Sequence, residues 1–124
     1  MRWTKDPTLR VTLLPRDTNR HGSIFGGIIL SHIDLAAAVE ARKTTGARNI
    51  VTVAMDKVVF HQPVFVGDVV SFYTKTSRVG RTSITVKVVV EATRGDRPET
   101  VRVTEAEVVF VAVDDNWKPV PIRG

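Results

Sequence analysis

Asp34 is the residue whose chemistry has to be explained first. It stands in Ile28-Ile29-Leu30-Ser31-His32-Ile33-Asp34-Leu35-Ala36-Ala37-Ala38-Val39, the most continuously apolar helical stretch in the chain. A helix apolar on nearly every side is a buried helix. An ionised carboxylate there needs partners, or its pKa rises. Just upstream, His21-Gly22-Ser23-Ile24-Phe25-Gly26-Gly27 puts a glycine pair where that helix should begin. The first turn of a helix leaves N–H groups unpaired, and the dipole makes that end positive. Gly26 and Gly27 lack side chains, so a ligand can approach this backbone beside Phe25 closely. Such an end can hold a carbonyl oxygen as it becomes an oxyanion, and a nearby acid can act as base or nucleophile. The pairing points to carbonyl chemistry. The plain structural alternative is that the glycines only allow close packing and that Asp34 is hydrogen-bonded to Ser31, His32 or a strand.

Spacing adds a constraint. Asp34 follows the glycines by seven to eight residues, roughly 11 Å along a helix axis. One ester or thioester carbonyl cannot contact both groups of a single chain, because each must approach to near 3 Å. Two antiparallel helices across a dimer two-fold resolve this, with Asp34 of one subunit facing the glycine turn of the other. Ser31 lies one turn before Asp34 and is placed to hydrogen-bond it.

The elements that must position these groups follow from periodicity. Leu9 to Leu14 alternates as a short strand, and Pro15 to Gly22 is a polar turn region. A helix should run from Phe25 or Gly26 to Lys43, with Gly46 as its stop. Strands are expected over Asn49–Phe60, Val69–Val79, Thr82–Thr93 and Thr100–Val113, with turns at Gly67-Asp68, Gly80-Arg81 and Gly95-Asp96-Arg97-Pro98. Short turns impose antiparallel pairing. The expected class is α+β, an antiparallel sheet wrapped around one long central helix, as a single domain over 1–124. The later strands are long, and their outer edges need a second subunit, so at least a dimer is expected.

Composition narrows the partners. The 124 residues carry a net charge of +5, with basic residues scattered rather than clustered and no interleaved aromatics. This disfavours a nucleic-acid platform and suits a small anionic substrate such as one bearing phosphates. Arg81, beside Gly80 and followed by Thr82 and Ser83, is the best phosphate-binding cluster, because Arg forks onto phosphate oxygens. Arg78 and Lys57 are weaker candidates. With no Cys and three His without ligand spacing, no metal site is expected. No signal-peptide core and no apolar run of about 18 residues is present, so a cytoplasmic protein off the membrane is expected.

Taken together, the motifs resemble a known family. Asp17-Thr18-Asn19-Arg20-His21-Gly22-Ser23-Ile24-Phe25-Gly26-Gly27, then Ser31-His32-Ile33-Asp34 and Ala41-Arg42, are similar to the hotdog-fold acyl-CoA thioesterases of the YciA and cytosolic acyl-CoA hydrolase type. Phe60-His61-Gln62-Pro63-Val64-Phe65-Val66-Gly67-Asp68 and Val79-Gly80-Arg81-Thr82-Ser83-Ile84 resemble its second and third signatures. The resemblance runs from about Leu9 to Pro121. It implies a hotdog fold and hydrolysis of acyl-CoA to CoA and a free acid, without metal or organic cofactor. It places the catalytic carboxylate on Asp34, the oxyanion donors on Gly26 and Gly27, and the loop asparagine on Asn19. It implies a homodimer assembled further into a hexamer (a trimer of dimers) or a tetramer. Ser23 stands where several relatives have Asp or Asn, and Trp117 where they often have Gly. Asn19 is also an ordinary turn residue. Two rival readings remain: another hotdog enzyme, such as a hydroxyacyl thioester dehydratase, and a non-catalytic acyl-CoA-binding protein.

Overall fold

The glycine turn does start the helix, and Gly46 does end it. In the computed structural model, which describes residues 3, 5–95 and 99–122, helix α1 spans Gly26–Thr45. Gly46 takes the left-handed conformation (φ 63°), and its N–H donates to the Arg42 carbonyl at 2.8 Å. This is the helix stop that glycine makes without a Cβ penalty. Four long strands and one short one complete the chain: β1 (Leu9–Thr12), β2 (Asn49–Phe60), β3 (Val69–Val79), β4 (Ser83–Thr93) and β5 (Thr100–Val113). Of the expected turn at 95–98, residues 96–98 lie outside the described ones.

The strands form one antiparallel sheet in the order β1-β3-β4-β5-β2. The sequence pattern suggests four strands following one another by short turns, and here the structure differs. β2 does not pair with β3. It lies beyond β5, so the connection 61–68 spans three strand steps, roughly 14 Å. That segment carries Pro63, which cannot join a ladder, and its Val64 carbonyl accepts the Ile24 N–H at 2.7 Å. The long connection therefore passes beside the start of α1 and braces it.

The sheet curls around one side of the helix. Ile29, Ile33, Ala36, Ala37 and Ala41 pack against Val70, Phe72, Ile84, Val86, Val88, Val108 and Phe110. The alanines keep the helix close to the strands. The reading of α1 as buried on all sides is corrected at this point. Leu35 is 60% and Val39 52% exposed, on the face the sheet does not reach. Val53, Val59 and Phe60 of β2 are exposed as well. An apolar pattern cannot tell a face covered by the chain's own sheet from one left for a second copy. Strand β2 is also a free edge, interrupted by irregularities near Val53 and between Asp56 and Val59, where Lys57 has φ 53°.

The last turn holds a strained residue. Trp117 has φ 65° and a largely exposed side chain, in a turn where the Asp114 carboxylate accepts the Asn116 and Lys118 N–H groups. A side chain in the left-handed region costs about 1 kcal/mol. Trp117→Gly should raise unfolding stability by about that amount in urea titrations. A lower midpoint would show that the indole contributes packing that outweighs the strain.

Candidate functional site

The start of α1 is built to leave two donors bare. Phe25 N–H donates to the Asp17 carbonyl at 2.8 Å, and Ile28 N–H to the Phe25 carbonyl at 2.9 Å. Between them, the Gly26 and Gly27 N–H groups have no acceptor among the described residues. A side chain at either position would have to displace an aromatic ring. A Cβ on Gly27 would lie 2.6 Å from the Phe25 ring, and one on Gly26 would lie 3.3 Å from the Phe60 ring. Phe25 is itself exposed, with its ring lying against Gly27.

Asn19 holds the approach to this turn. Its Oδ1 accepts the N–H groups of His21 (2.9 Å) and Ser23 (3.3 Å), and its Nδ2 donates to Ser23 Oγ at 2.9 Å. Its backbone N–H also meets the Ser23 carbonyl. The side chain is engaged in shaping the 19–23 loop, where the Ser23 hydroxyl has become part of the hydrogen-bond set.

Asp34 is half-buried, on the border between the packed and bare faces of α1. Thr52 Oγ1 on β2 donates to its Oδ1 at 2.7 Å, and Oδ2 has no partner among the described residues. The expected hydrogen bond from Ser31 is not made. Ser31 Oγ donates instead to the Ile28 carbonyl at 2.7 Å, because a serine within a helix reaches the turn before it. His32 is packed: Nδ1–H donates to the same Ile28 carbonyl at 2.8 Å, and the ring stacks on Phe72. Helix α1 is continuous from Gly26 through Asp34, so the acid and the bare donors of one protomer stay roughly 11 Å apart along the axis.

A cleft of about 280 Å³ opens beside the glycine turn, lined chiefly by Ile24, Gly26, Ile29, Phe60, Val64 and Thr104. The Arg81-Thr82-Ser83 hairpin is elsewhere. Thr76, just before it, donates to Glu40 and bonds Thr44 near the C-terminal end of α1. The hairpin therefore lies at the opposite end of the protomer from Gly26. Arg81 is exposed, with no ion pair among the described residues. Lys57 is paired with Glu107 at 3.1 Å. Among the described residues no cluster of three His, Cys, Asp or Glu could hold a metal, and no helix is long and apolar enough to cross a membrane.

Two features were not foreseen from sequence. One is which residue partners Asp34: the structural alternative allows a strand, but nothing in the sequence singles out Thr52. The other is a clamp on the 61–68 connection. Arg94 donates to Asp68 Oδ2 and to the Pro63 carbonyl (3.1 Å), and lies over the Phe65 ring. The same Asp68 oxygen accepts the Phe65 N–H at 2.9 Å. The clamp fixes the segment whose Val64 carbonyl holds Ile24, two residues before Gly26.

This arrangement is that of a hotdog domain, and the comparisons agree. Residues 21–99 match the family model of the thioesterase superfamily, and the chain belongs to that superfamily. It is 38% identical over 117 residues to the acyl-CoA thioester hydrolase YciA of Salmonella typhimurium, covering 92% of this chain and 87% of that protein. A hexameric hotdog-fold thioesterase of Campylobacter jejuni is 48% identical, with a TM-score of 0.89 and coverage of 95% and 90% of the two chains. An acyl-CoA hydrolase of Staphylococcus aureus, crystallised with butyryl coenzyme A and coenzyme A, is 32% identical, with a TM-score of 0.85 and coverage of 94% and 70%.

Removing the Asp68 carboxylate would leave a largely buried guanidinium and the Phe65 N–H without their partner. Asp68→Ala should lower unfolding stability by about 3 kcal/mol, as loss of one member of a buried pair does. A change under about 1 kcal/mol, the range of exposed pairs, would show that the clamp does not hold the connection.

Proposed function

We propose that the protein is an acyl-CoA thioester hydrolase whose active site is shared between two protomers. The observation that carries this reading is the pair of bare N–H groups at Gly26 and Gly27, set at the positive end of α1 beside an apolar cleft. The bare face of the same helix, bordered by Asp34 and carrying Leu35 and Val39, supports an antiparallel partner helix. For the partner's Asp34 to meet these N–H groups, the two-fold must pass near residues 30 and 31, midway between the two sites. Ser31 is exposed there. The relatives named as acyl-CoA hydrolases and the hexameric neighbours support acyl-CoA as substrate and a trimer of such dimers as the assembly.

In this site the thioester carbonyl oxygen accepts from the Gly26 and Gly27 N–H groups. The partner's Asp34, oriented by Thr52, takes a proton from water through its free oxygen as the water oxygen bonds to the carbonyl carbon. The carbonyl electron pair moves onto the oxygen, where the two N–H groups and the helix dipole hold it. Collapse re-forms the carbonyl and breaks the C–S bond. The CoA thiolate leaves and takes up the proton, giving CoA and a carboxylic acid. No metal or organic cofactor enters this sequence.

The distant hairpin fits the same arrangement. From Asp34 to the C-terminal end of its helix at Thr45 is roughly 17 Å, and the Arg81 hairpin lies toward that end. The protomer that supplies the acid thus also offers Arg81 to the CoA phosphates, with the pantetheine arm spanning the gap. Phe25, Thr82 and Ser83 complete the walls of this path.

Two kinetic experiments test the proposal. The chain has no Cys, so released CoA can be read by a thiol reagent without background. Asp34→Asn keeps an acceptor for Thr52 but cannot act as a base. It should lower kcat at least about 100-fold with an unchanged circular dichroism spectrum, whereas turnover within threefold of wild type contradicts the assigned role. Arg81→Ala should raise KM for an acyl-CoA about tenfold and leave hydrolysis of the matching acyl-pantetheine unchanged. Equal effects on both substrates would remove Arg81 from phosphate binding.

A further inference from the structure

The cleft beside Gly26 contains a polar group that the proposed mechanism does not use. Thr104 is only 1% exposed, and its Oγ1 has no hydrogen-bond partner among the described residues. Its strand shows why this is unusual. Thr104, Ala106, Val108 and Phe110 alternate along the helix-facing side of β5, and the other three are apolar. A valine would fill the same volume and leave nothing unsatisfied. Buried hydroxyls are normally paired, and an orphan calls for an explanation. Around it the cleft presents Ile24, Ile29, Phe60, Pro63 and Val64, which offer no side-chain acceptor; of its two other polar side chains, His61 is directed to Glu105, and the Gln62 amide makes no hydrogen bond to Thr104.

We infer that Thr104 makes this cleft selective for acyl groups that carry a hydroxyl. This rests on the reading of the cleft as the acyl pocket. A thioester whose carbonyl sits on the Gly26 and Gly27 N–H groups directs its acyl chain along the cleft that Gly26 itself lines. An unsubstituted chain meets Ile24, Ile29, Phe60 and Val64 favourably but leaves the Thr104 hydroxyl unpaired. A hydroxyl near the thioester end that presses into the wall at Thr104 makes one hydrogen bond there, either accepting from Oγ1–H or donating to Oγ1. A site with a buried hydrogen-bonding group discriminates against the analogue that lacks the matching partner. The substrate class is thus a short hydroxyacyl thioester, hydrolysed at the thioester bond with the hydroxyl retained.

The test is binding, so that it does not depend on turnover. S-butyl-CoA and S-(3-hydroxybutyl)-CoA, thioethers that cannot be hydrolysed, are titrated calorimetrically into wild type, Thr104→Val and Thr104→Ser. The preference for the hydroxylated ligand should fall about tenfold in Thr104→Val, with S-butyl-CoA affinity kept within twofold, and should be retained in Thr104→Ser. Thr104→Val should unfold at no lower temperature than wild type, which excludes misfolding as the cause. An unchanged preference in Thr104→Val overturns the inference and leaves the hydroxyl as an unpaired group of the core. A parallel loss of both affinities overturns it too, as a packing effect. Failure of wild type to release thiol from butyryl-CoA, with the Thr104-dependent preference intact, refutes the hydrolase reading alone.

Discussion

A straight helix keeps two of its own residues at a fixed distance, and that constraint organises this molecule. Asp34 and the Gly26–Gly27 donors sit on one unbroken helix, roughly 11 Å apart along its axis. No side-chain rotation closes that gap. If both groups serve one carbonyl, they must come from different copies of the helix. The exposed Leu35 and Val39 on the face opposite the core then have a physical reason, as does the long free edge of β2. Under the same condition, Arg81 at the far end of a protomer would lie on the side of that protomer's own Asp34 rather than of its glycine turn.

The helix start depends on packing from three directions. The Asp17 carbonyl holds Phe25, the Val64 carbonyl holds Ile24, and Asn19 closes the loop between them. The Val64 contact is secured in turn by the Arg94–Asp68 clamp. Oxyanion donors act by being fixed in advance of the reaction, so residues remote from the substrate set the quality of the site. The long connection from β2 to β3 is therefore more than a linker. It crosses the sheet because β2 is displaced to the far edge, and in crossing it supports the glycine turn.

Local patterns were enough to place the elements. Alternation of β-branched residues marked Asn49–Phe60, Val69–Val79 and Thr100–Val113 with the bounds the structure shows, and Gly46 marked the helix end. Strand order was not legible in the same way, because the β2–β5 pairing joins segments far apart in sequence and no turn dictates it. The bare helix face was hidden because Leu35 and Val39 look like core residues until the reach of the sheet is known. The spacing of Ser31 suits a bond to Asp34, but the carbonyl one turn back takes its hydroxyl. Thr52, Arg94 and Thr104 each stand among many residues of the same type. Only the fold shows that one meets the acid, one clamps a loop and one is buried without a partner.

The central claim, that each active site draws its acid and its oxyanion donors from different protomers, is tested most directly by subunit complementation. One chain carries Asp34→Ala and the other Gly27→Leu, which covers the donor pair, and both are co-expressed and assembled together. Each variant alone should be inactive. Random mixing should restore roughly a quarter of wild-type thiol release, because half of the dimers are mixed and each of these holds one intact site of two. No recovery in assemblies shown to contain both chains would contradict the account.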